Sequence, residues 1–451
     1  MDKLFGTDGI RGVANQYPLD CETAVKAGRA IAAFFDGEKH GSGRFLIGQD
    51  TRISGDMLVS ALAAGICSMG KDVYLTGVIP TPGVAYLTST NGFDAGIVIS
   101  ASHNSFYDNG IKLFKSDGYK LSDDAERSIE QLIKDDVSLY KKSETIKRVG
   151  MIHHVDDAQD HYRRFLENCL STGISLAGMK LVIDCSNGAA SEIAPVLFEK
   201  LNATVKTIFC KPDGTNINDN CGSQHPGALA KMVVAENADL GLAFDGDADR
   251  LIAVDEKGTV LSGDQVMAIC AKDMQEKGLL ANPVVVTTVM SNMGFGFALK
   301  KMATAHIKAN VGDRCVVEEM LKVGAVLGGE NSGHMIFLNH HTTGDGMLAA
   351  LKLMEAMQSS GKPLSDLATV MTVFPQCLIN VAVKSKPEID TIKGIARAIN
   401  DVERQLGDKG RVLVRYSGTQ PQCRVMVEGP TEQETKALCR QIASVVARKL
   451  G

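Results

Sequence analysis

The sequence of 451 residues contains no continuous apolar run near the roughly 18 residues that a membrane-spanning helix requires. Its opening, MDKLFGTDGIRG, lacks the charged start and apolar stretch of a secretory signal peptide. It has no block of basic residues, and its net charge of −5 is spread along the chain. We therefore predict a cytoplasmic protein that enters no membrane and binds no nucleic acid.

The cysteines lack the arrangement of a disulfide framework or a zinc site. They number eleven, which is odd, and they are scattered from Cys21 to Cys439 without a CxxC pair. Cysteines used in this way are typical of a reducing compartment. We predict that they are reduced and mostly buried.

What the sequence does contain is the composition of an ordinary α/β protein. Hydrophobic residues make up 44% and charged residues 22%, and there are 45 glycines. The chain is too long for one hydrophobic core, and about 100–200 residues per domain predicts three or four domains.

Strand-like apolar runs alternate with helix-like stretches in three successive units. RFLIGQD precedes GDMLVSALAAGICSMG, and the same rhythm restarts at KLVIDCSNG and at PVVVTTVMSN. The last ~80 residues have strand patterns around a helical stretch and a closing helix, which indicates a small α+β domain. We predict domains at residues 1–150, 151–257, 258–366 and 367–451.

Three carboxylates at alternate positions, Asp245, Asp247 and Asp249, follow the apolar strand LGLAF. Like charges this close are costly without a cation, and oxygen-only ligands favour Mg²⁺ over zinc. An EF-hand loop would place its bidentate glutamate at Glu256, but its sixth position is Arg250 rather than glycine. A solvated acidic turn is the remaining alternative.

A serine follows another apolar run, in the tract Ile99-Ser-Ala-Ser-His-Asn104. Ser102 would lie on a loop at the end of a strand, where a nucleophile can be presented. An isolated SxSH tract is more often a turn or a helix cap than a nucleophile. No G-x-S-x-G elbow surrounds Ser102, which disfavours acyl transfer.

Three further tracts combine glycine with polar groups. Residues 328–334, GGENSGH, bring a carboxylate, a hydroxyl and an imidazole into a sharp turn, and such groups suit sugar hydroxyls. Residues 415–419, RYSGT, followed by Arg424, could converge on a phosphate. Residues 6–12, GTDGIRG, place an arginine among glycines. Each tract by itself is also explained as a polar turn or as surface.

In their order along the chain, GTDGIRG, SASHN, DGDADR, GGENSGH and RYSGT resemble the α-D-phosphohexomutase superfamily over essentially the whole sequence. The opening LFGTDGIRG, the SASHN loop, VGDR at 311–314, GGENSGHMIFLNHHTTGDG and the tyrosine of RYSGT are most similar to the bacterial phosphoglucosamine mutase subgroup. The resemblance implies three α/β domains of one type and a C-terminal α+β, TATA-binding-protein-like domain around a central cleft.

The same resemblance implies the interconversion of glucosamine 6-phosphate and glucosamine 1-phosphate, a step toward UDP-N-acetylglucosamine. Phosphorylated Ser102 would donate its phosphoryl group to the sugar and give a bisphosphate intermediate. The implied cofactors are one Mg²⁺ ion and a glucosamine or hexose 1,6-bisphosphate as primer. The implied partner is the small phosphosugar alone, with the protein a monomer or a homodimer.

The residue roles that the resemblance implies fall into three sets. The metal would be held by Ser102 (through its phosphate), Asp245, Asp247 and Asp249. The catalytic groups, which orient the phosphoserine or move protons, would be Ser102, His103, Lys112, Arg11, Arg250 and His334. Substrate would be bound by Glu330, Ser332, Arg415, Ser417, Gly418, Thr419 and Arg424. Lys112 could act as a base only if its pKa were lowered.

The sequence departs from the family pattern at Ser105 in place of proline, Asn331 in place of glutamine and Gln420 in place of glutamate. Serine does not fix φ as proline does, so the first change is expected to loosen the nucleophile loop. The nearest alternative function is a phosphomannomutase/phosphoglucomutase, from which Tyr416 distinguishes this sequence. A phosphoserine-dependent sugar phosphatase and a non-catalytic sugar-phosphate-binding protein are the others.

Overall fold

The structure is a computed structural model that describes residues 4–6, 8–36, 42–144, 148–280, 282–417 and 421–451. The chain divides into two compact units, one of Met1–Val289 with Ile307–Thr369 and one of Met290–His306 with Val370–Gly451. In the described residues the larger unit carries three of the β-sheets and the smaller unit carries the fourth.

The first sheet has six strands in the described residues, in the order β1-β5-β4-β2-β3-β6. The strands are β1 (Ile10–Val13), β2 (Arg44–Gln49), β3 (Asp72–Val78), β4 (Ala95–Ile99), β5 (Asp108–Lys115) and β6 (Ile152–His154). The helices between them are α1 (Cys21–Asp36), α2 (Gly55–Ser68), α3 (Thr81–Thr90), α4 (Asp123–Lys134) and α5 (Asp136–Glu144).

Packing in this first region depends on two glycines where α1 crosses α2. A Cβ atom added at Gly28 would lie 2.3 Å from the Leu62 carbonyl oxygen, and one added at Gly65 would lie 2.2 Å from that of Val25. Only glycine allows the two helices to approach so closely. Strand β4, AGIVI, is completely buried, as its continuous apolar sequence predicts.

The second sheet, as far as the described residues show, has the order β11-β10-β9-β7-β8. Its strands are β7 (Lys180–Asp184), β8 (Thr204–Ile208), β9 (Leu240–Phe244), β10 (Leu251–Asp255) and β11 (Val260–Leu261). The helices of this region are α6 (Ala158–Cys169), α7 (Ala190–Lys200) and α8 (Gly227–Glu236). Strand β9 is parallel to β7 and antiparallel to β10. A strand thus follows the triple aspartate where an EF-hand would have a helix, which excludes that alternative.

The third sheet, within the described ranges, has the order β13-β12-β14-β15. Its strands are β12 (Val284–Thr288), β13 (Ala305–Ala309), β14 (Leu327–Gly329) and β15 (Met335–Phe337). The helices of this stretch are α9 (Gly263–Glu276), α10 (Met293–Lys301), α11 (Asp313–Val323), α12 (Gly346–Ser360) and α13 (Leu364–Leu367), of which α10 belongs to the smaller unit.

Helix α12 is buried along almost its whole length. Its first turn is satisfied by Asp345, whose side chain accepts hydrogen bonds from the main-chain nitrogens of Met347 and Leu348, both at 3.0 Å. The Tyr162 hydroxyl donates to the same carboxylate at 2.7 Å. A buried N-terminal cap therefore ties α12 to α6.

The smaller unit contains, in its described residues, a sheet of order β16-β18-β17. Its elements are β16 (Gln376–Ala382), β17 (Arg411–Tyr416), β18 (Gln422–Glu428), α14 (Lys393–Leu406) and α15 (Glu432–Leu450). Helix α14 buries Ile395, Ala398, Val402 and Leu406, which recur at the spacing of one helix face. Ile395, Val402 and Leu406 pack into the core of this unit with apolar residues of β18 and α15.

These observations confirm the predicted fold class, with three α/β regions followed by a small α+β region. The predicted domain boundaries stay a prediction. Strand β6 pairs with the first sheet although it follows residue 150, and β11 pairs with the second although it follows residue 257. All eleven cysteines are free thiols. Among the described residues, no helix combines the length and the apolar character that crossing a bilayer demands.

Candidate active site

The Ser102 loop connects the antiparallel strands β4 and β5. Ser102 is buried and has a φ of 52°, in the left-handed region that serine rarely adopts. Its hydroxyl donates a hydrogen bond to Asp245 Oδ2 at 2.6 Å, and its main-chain nitrogen donates to Ser100 Oγ at 2.9 Å. The loop thus directs the candidate nucleophile at the first of the three aspartates.

The three aspartates lie on the turn between β9 and β10. Asp245, Asp247 and Asp249 are all buried, and one carboxylate oxygen from each lies within 4.8 Å of the other two. Burial, reinforced by the charges of Asp249 and Asp247, raises the pKa of the Asp245 carboxyl well above its ordinary value. The cluster is electrostatically unfavourable by itself.

The hydrogen bonding of two carboxylate oxygens indicates whether the cluster is suited to bind a cation. Asp247 Oδ1 and Asp249 Oδ1 are buried, and neither has a hydrogen-bond partner among the described residues. Buried carboxylate oxygens are normally satisfied, and a hard divalent cation is the ligand that such oxygens bind. The residues therefore fit a divalent metal ion.

The remaining oxygen of Asp247 is shared by two donors. The Lys112 ammonium lies 2.7 Å from Asp247 Oδ2, and the Thr81 hydroxyl donates to the same atom at 2.6 Å. Burial opposes the charge on Lys112, but Asp247, Asp8 and Asp249 outweigh it and raise the pKa of the lysine. Lys112 could act as a base only with a lowered pKa, so this arrangement does not favour Lys112 as a base.

His103 and two arginines lie beside the Ser102 loop. His103 Nδ1 lies 3.2 Å from Ser102 Oγ and 3.0 Å from Arg250 Nη1. Burial, with the nearby charges of Arg250 and Arg11, lowers the pKa of His103 to about 4. The guanidinium of Arg11 donates to the carbonyl of Ala101 at 3.4 Å. The site therefore presents a neutral imidazole and two permanent cations to the serine.

An ion-pair chain joins Lys112 to His334. Lys112 lies 3.1 Å from Asp8 Oδ2, and Lys120 bridges Asp8 and Asp313. His334 Nε2 lies 3.6 Å from Asp313 Oδ2, and its Nδ1 lies 3.4 Å from Asp249 Oδ2. Although burial opposes it, the charge of Asp249 raises the pKa of His334. His334 therefore connects these ion pairs back to Asp249 of the aspartate cluster.

The GGENSGH tract is the turn between β14 and β15. Glu330 Oε1 accepts a hydrogen bond from the main-chain nitrogen of Gly312 at 3.2 Å, and Ser332 Oγ lies 3.5 Å from Glu330 Oε2. The turn is fixed to the aspartate loop, because Leu251 N donates to the Gly333 carbonyl at 3.0 Å. The structure therefore brings Glu330, Ser332 and His334 together near Arg250.

The tract that is predicted to bind phosphate lies in the smaller unit. Arg415 of β17 and Arg424 of β18 are directly opposite each other in the sheet register, so two guanidiniums project from neighbouring strands on one face. The Ser417 carbonyl accepts from Lys386 Nζ at 2.7 Å, which adds a third cation. Gly418, Thr419 and Gln420 lie outside the described residues. Three cations near a hydroxyl favour an anion here.

Four residues of the larger site were missed by sequence reasoning: Asp8, Thr81, Lys120 and Asp313. Asp8 lies inside GTDGIRG and Asp313 inside VGDR, so both tracts carried a signal without an assigned role. Thr81 and Lys120 lie in no quoted tract. Their positions follow only from the folding of α3 and of the segment after β5 onto the aspartate loop.

Comparison with known protein families covers almost the whole chain. The sequence matches the three alpha/beta/alpha domains of phosphoglucomutase/phosphomannomutase, domain I at residues 2–139, domain II at 160–258 and domain III at 262–374. Residues 378–445 match the C-terminal domain of the same family.

Individual relatives agree with these matches. A phosphoglucosamine mutase of Syntrophus aciditrophicus is 56% identical over 454 aligned residues, which cover 100% of both chains. The crystal structure of a phosphoglucomutase/phosphomannomutase family protein from Burkholderia thailandensis superposes with a TM-score of 0.81, at 22% identity, over 99% of this chain and 98% of that one. That of Aspergillus fumigatus N-acetylphosphoglucosamine mutase, in complex with GlcNAc-6P and magnesium, has a TM-score of 0.71 at 15% identity, over 99% and 95%.

Proposed function

The chain belongs to the phosphoglucomutase/phosphomannomutase family, in its phosphoglucosamine mutase group, and from this premise we propose that it interconverts glucosamine 6-phosphate and glucosamine 1-phosphate through a phosphorylated Ser102. It is a phosphosugar mutase of the isomerase class. The observation that carries the proposal is the 2.6 Å hydrogen bond between Ser102 Oγ and Asp245 Oδ2, inside a cluster of three buried carboxylates. The product would enter UDP-N-acetylglucosamine synthesis.

The reaction consists of two phosphoryl transfers. In the first, the bond between phosphorus and Ser102 Oγ breaks, and a bond forms between phosphorus and the free hydroxyl oxygen of the sugar phosphate. The resulting bisphosphate then reverses its orientation in the site. In the second transfer, the bond between its other phosphorus and the sugar oxygen breaks, and a bond to Ser102 Oγ forms. Such transfers need positioning and charge stabilisation more than covalent chemistry. Arg11 and Arg250 are suited to orient the phosphoserine, since both guanidiniums lie beside the serine loop.

The residues that would hold one Mg²⁺ ion are Asp245, Asp247, Asp249 and the phosphate on Ser102. When bound, the ion neutralises negative charge that builds up on the transferring phosphoryl group. The oxygens Asp247 Oδ1 and Asp249 Oδ1, which have no hydrogen-bond partner among the described residues, support this assignment. A glucosamine or hexose 1,6-bisphosphate would place the first phosphoryl group on the serine.

Proton transfer must accompany each step, because the attacking hydroxyl loses a proton that the leaving serine or sugar oxygen regains. Lys112 keeps its proton beside Asp247, because its pKa is raised there, and it is suited to stabilise negative charge on a leaving oxygen. His334 is the candidate for exchanging a proton with the sugar hydroxyl, since Glu330 and Ser332, which would bind that sugar, lie on the same turn. His103 is held neutral and is the second candidate base.

The phosphate that is not being transferred would be bound by the tract that contains Arg415, Ser417, Gly418, Thr419 and Arg424. The opposed guanidiniums of Arg415 and Arg424 support this role. One fixed phosphate site can serve both orientations of the substrate. We place the reaction in the cytoplasm and expect the enzyme to act as a monomer or homodimer without a macromolecular partner.

The test is a coupled assay of the purified enzyme with Mg²⁺ and a trace of hexose bisphosphate. Glucosamine 1-phosphate formation would be compared with the corresponding glucose and mannose reactions, in the wild type and in Ser102→Ala, while free phosphate is also measured. Preference for the glucosamine substrate that disappears in Ser102→Ala would support the proposal. Faster turnover of glucose or mannose phosphate would show that glucosamine phosphate is not the preferred substrate. Net phosphate release, or activity independent of Ser102, would refute the mutase mechanism.

A further inference from the structure

Arg52 is a buried arginine beside the Ser102 loop, and its side chain is inaccessible to solvent. Its guanidinium donates to one carboxylate and to four main-chain carbonyls of a single loop. The partners are Asp50 Oδ2 at 2.9 Å, Ser102 O at 2.9 Å, Asn104 O at 2.8 Å, Asp108 O at 2.9 Å and Ser105 O. A guanidinium has five N–H donors in a fixed plane, and here all five are used.

The Arg52 charge is neutralised within the same buried cluster. Asp50 is equally inaccessible, and its Oδ2 atom also accepts from the Ser100 hydroxyl at 2.6 Å. A buried ion pair persists only when its remaining donors and acceptors are satisfied as well. Because Ser100 Oγ in turn accepts from the main-chain nitrogen of Ser102, the pair is connected to both ends of that residue.

Ser102 needs such restraint because its backbone is strained. A non-glycine residue at a φ of 52° is held there only when the surroundings determine it from several sides. The Ser102 carbonyl is bound by Arg52 and also by the Asn218 amide at 2.8 Å. With its nitrogen and its carbonyl both fixed, the direction of its side chain toward Asp245 is fixed too.

We propose that Arg52 is a positioning residue for phosphoryl transfer, which holds the Ser102 loop in the conformation that directs the hydroxyl at the metal-binding aspartates. The inference rests on the proposed function. Arg52 acts through main-chain oxygens and has no role in the proposed handling of substrate or metal. It also compensates for Ser105, because its bond to the Ser105 carbonyl restrains a position where proline would otherwise fix φ.

The experiment replaces Arg52 by Lys, which keeps the charge beside Asp50 but offers three donors from one atom instead of a planar fork. Arg163→Lys is the matched control, because Arg163 is also buried but its partners in the described part of the chain are the side chains of Asp160 and Glu167. For each purified protein, thermal unfolding, kcat, KM for glucosamine 6-phosphate and the rate at which a hexose bisphosphate phosphorylates Ser102 are measured. Intact-protein mass spectrometry reports the phosphorylation.

We expect kcat and the phosphorylation rate of Arg52→Lys to fall about 10- to 100-fold, since small misplacement of a reacting group has effects of that size. KM should change less than about threefold, because the binding groups are untouched. The Arg163→Lys enzyme should keep wild-type kcat. A folded Arg52→Lys enzyme with kcat within about twofold of wild type would overturn the positioning role.

Asn218→Gly provides a second variant if Arg52→Lys does not fold. Glycine tolerates the φ of 58° at Asn218 and removes only the amide that binds the carbonyls of Ser102 and Asn104. A lower kcat at unchanged KM would support the restraint of this loop, and wild-type kcat would contradict it. Ser102-dependent turnover by the wild type tests the proposed function separately, so an active wild type beside a fully active Arg52→Lys would refute the positioning role alone.

Discussion

Lys112 Nζ and Asp247 Oδ2 form a buried ion pair at 2.7 Å, with both side chains excluded from solvent. The lysine also lies 3.9 Å from Asp249 Oδ2, so one ammonium faces two of the three clustered carboxylates. The Arg250 guanidinium is a second cation beside the cluster, with its Nε 3.7 Å from Asp249 Oδ1, and two positive charges do not neutralise three carboxylates. The ion pair therefore reduces the charge of the cluster and leaves a net attraction for a cation.

Replacing Lys112 by Met tests this relationship, because it removes the charge and keeps most of the volume. Removing one partner of a buried ion pair costs about 3–5 kcal/mol when the other is left uncompensated. We expect a loss of about 3 kcal/mol in the free energy of unfolding with a chelator present, and less than about half of that with saturating Mg²⁺. Urea denaturation under both conditions measures the difference. Equal losses would show that no cation compensates Asp247.

Asp245→Asn should separate stability from activity. In a chelator the substitution relieves the mutual repulsion of the carboxylates, so the free energy of unfolding should rise by about 1–2 kcal/mol. Activity should fall by about 100-fold or more, because a proposed metal ligand is lost. Denaturation curves and mutase assays test the two effects, with the exposed Asp219→Asn as a control that should change neither. A destabilised, metal-free Asp245→Asn protein would contradict the repulsion argument.

His341 predicts a loss of stability at acid pH. Its Nε2 atom lies 2.9 Å from the Pro82 carbonyl oxygen, and its Nδ1 accepts from the Thr342 main-chain nitrogen at 2.8 Å, so the neutral ring is fully satisfied. Burial lowers the pKa of His341 to about 4. Since the unfolded chain then binds the proton more tightly, stability is lost as pH falls from the ordinary histidine pKa of about 6.5 toward about 4.

The size of the His341 effect should be roughly 2 kcal/mol between about pH 7 and about pH 5. Urea denaturation of the wild type and of His341→Gln would measure it, because the variant lacks the titrating ring. The variant should be less stable at neutral pH but should lose less further stability on acidification. An identical pH dependence in the two proteins would assign the acid sensitivity to other groups.

The opposed arginines of the smaller unit predict a change in substrate binding. If the pair binds phosphate as proposed, removing one guanidinium takes away a charge-assisted bond, so Arg424→Gln should raise KM about 10- to 100-fold. The phosphorylation of Ser102 should be less sensitive when bisphosphate is saturating. Arg404→Gln is the control, since Arg404 is 77% exposed in the same unit and pairs with Asp401. Equal KM values for wild type and Arg424→Gln would refute the phosphate role.

Much of the fold and of the candidate site could be predicted from the sequence, because the patterns that indicate them lie in short stretches of the chain. Apolar runs such as AGIVI and LGLAF predict buried strands, and the polar tracts that follow them predict loops at strand ends. Ser102 and the three aspartates lie in such loops, so the order of these tracts along the chain marks them as candidate site residues. The sequence does not indicate the role of Arg52, because an arginine two residues after an aspartate is also common on protein surfaces.

Other features depend on pairs of residues far apart in the chain. The ion-pair chain from Asp8 through Lys120 to Asp313 needs contacts across more than a hundred residues, and no tract of the sequence indicates them. The sign of the Lys112 pKa shift also requires the structure. Burial alone would lower that pKa, and only the distances to Asp247 and Asp8 decide that it rises.

The sequence by itself determined the fold class and the family, and it indicated the candidate residues for the chemistry, since each depends on short-range pattern and residue type. Tertiary structure alone decided which charges compensate one another, which carboxylate oxygens stay unpartnered and what holds Ser102 at its strained φ. The physical reason is that electrostatic energies and hydrogen bonds depend on distance and burial in three dimensions, which residue order does not specify.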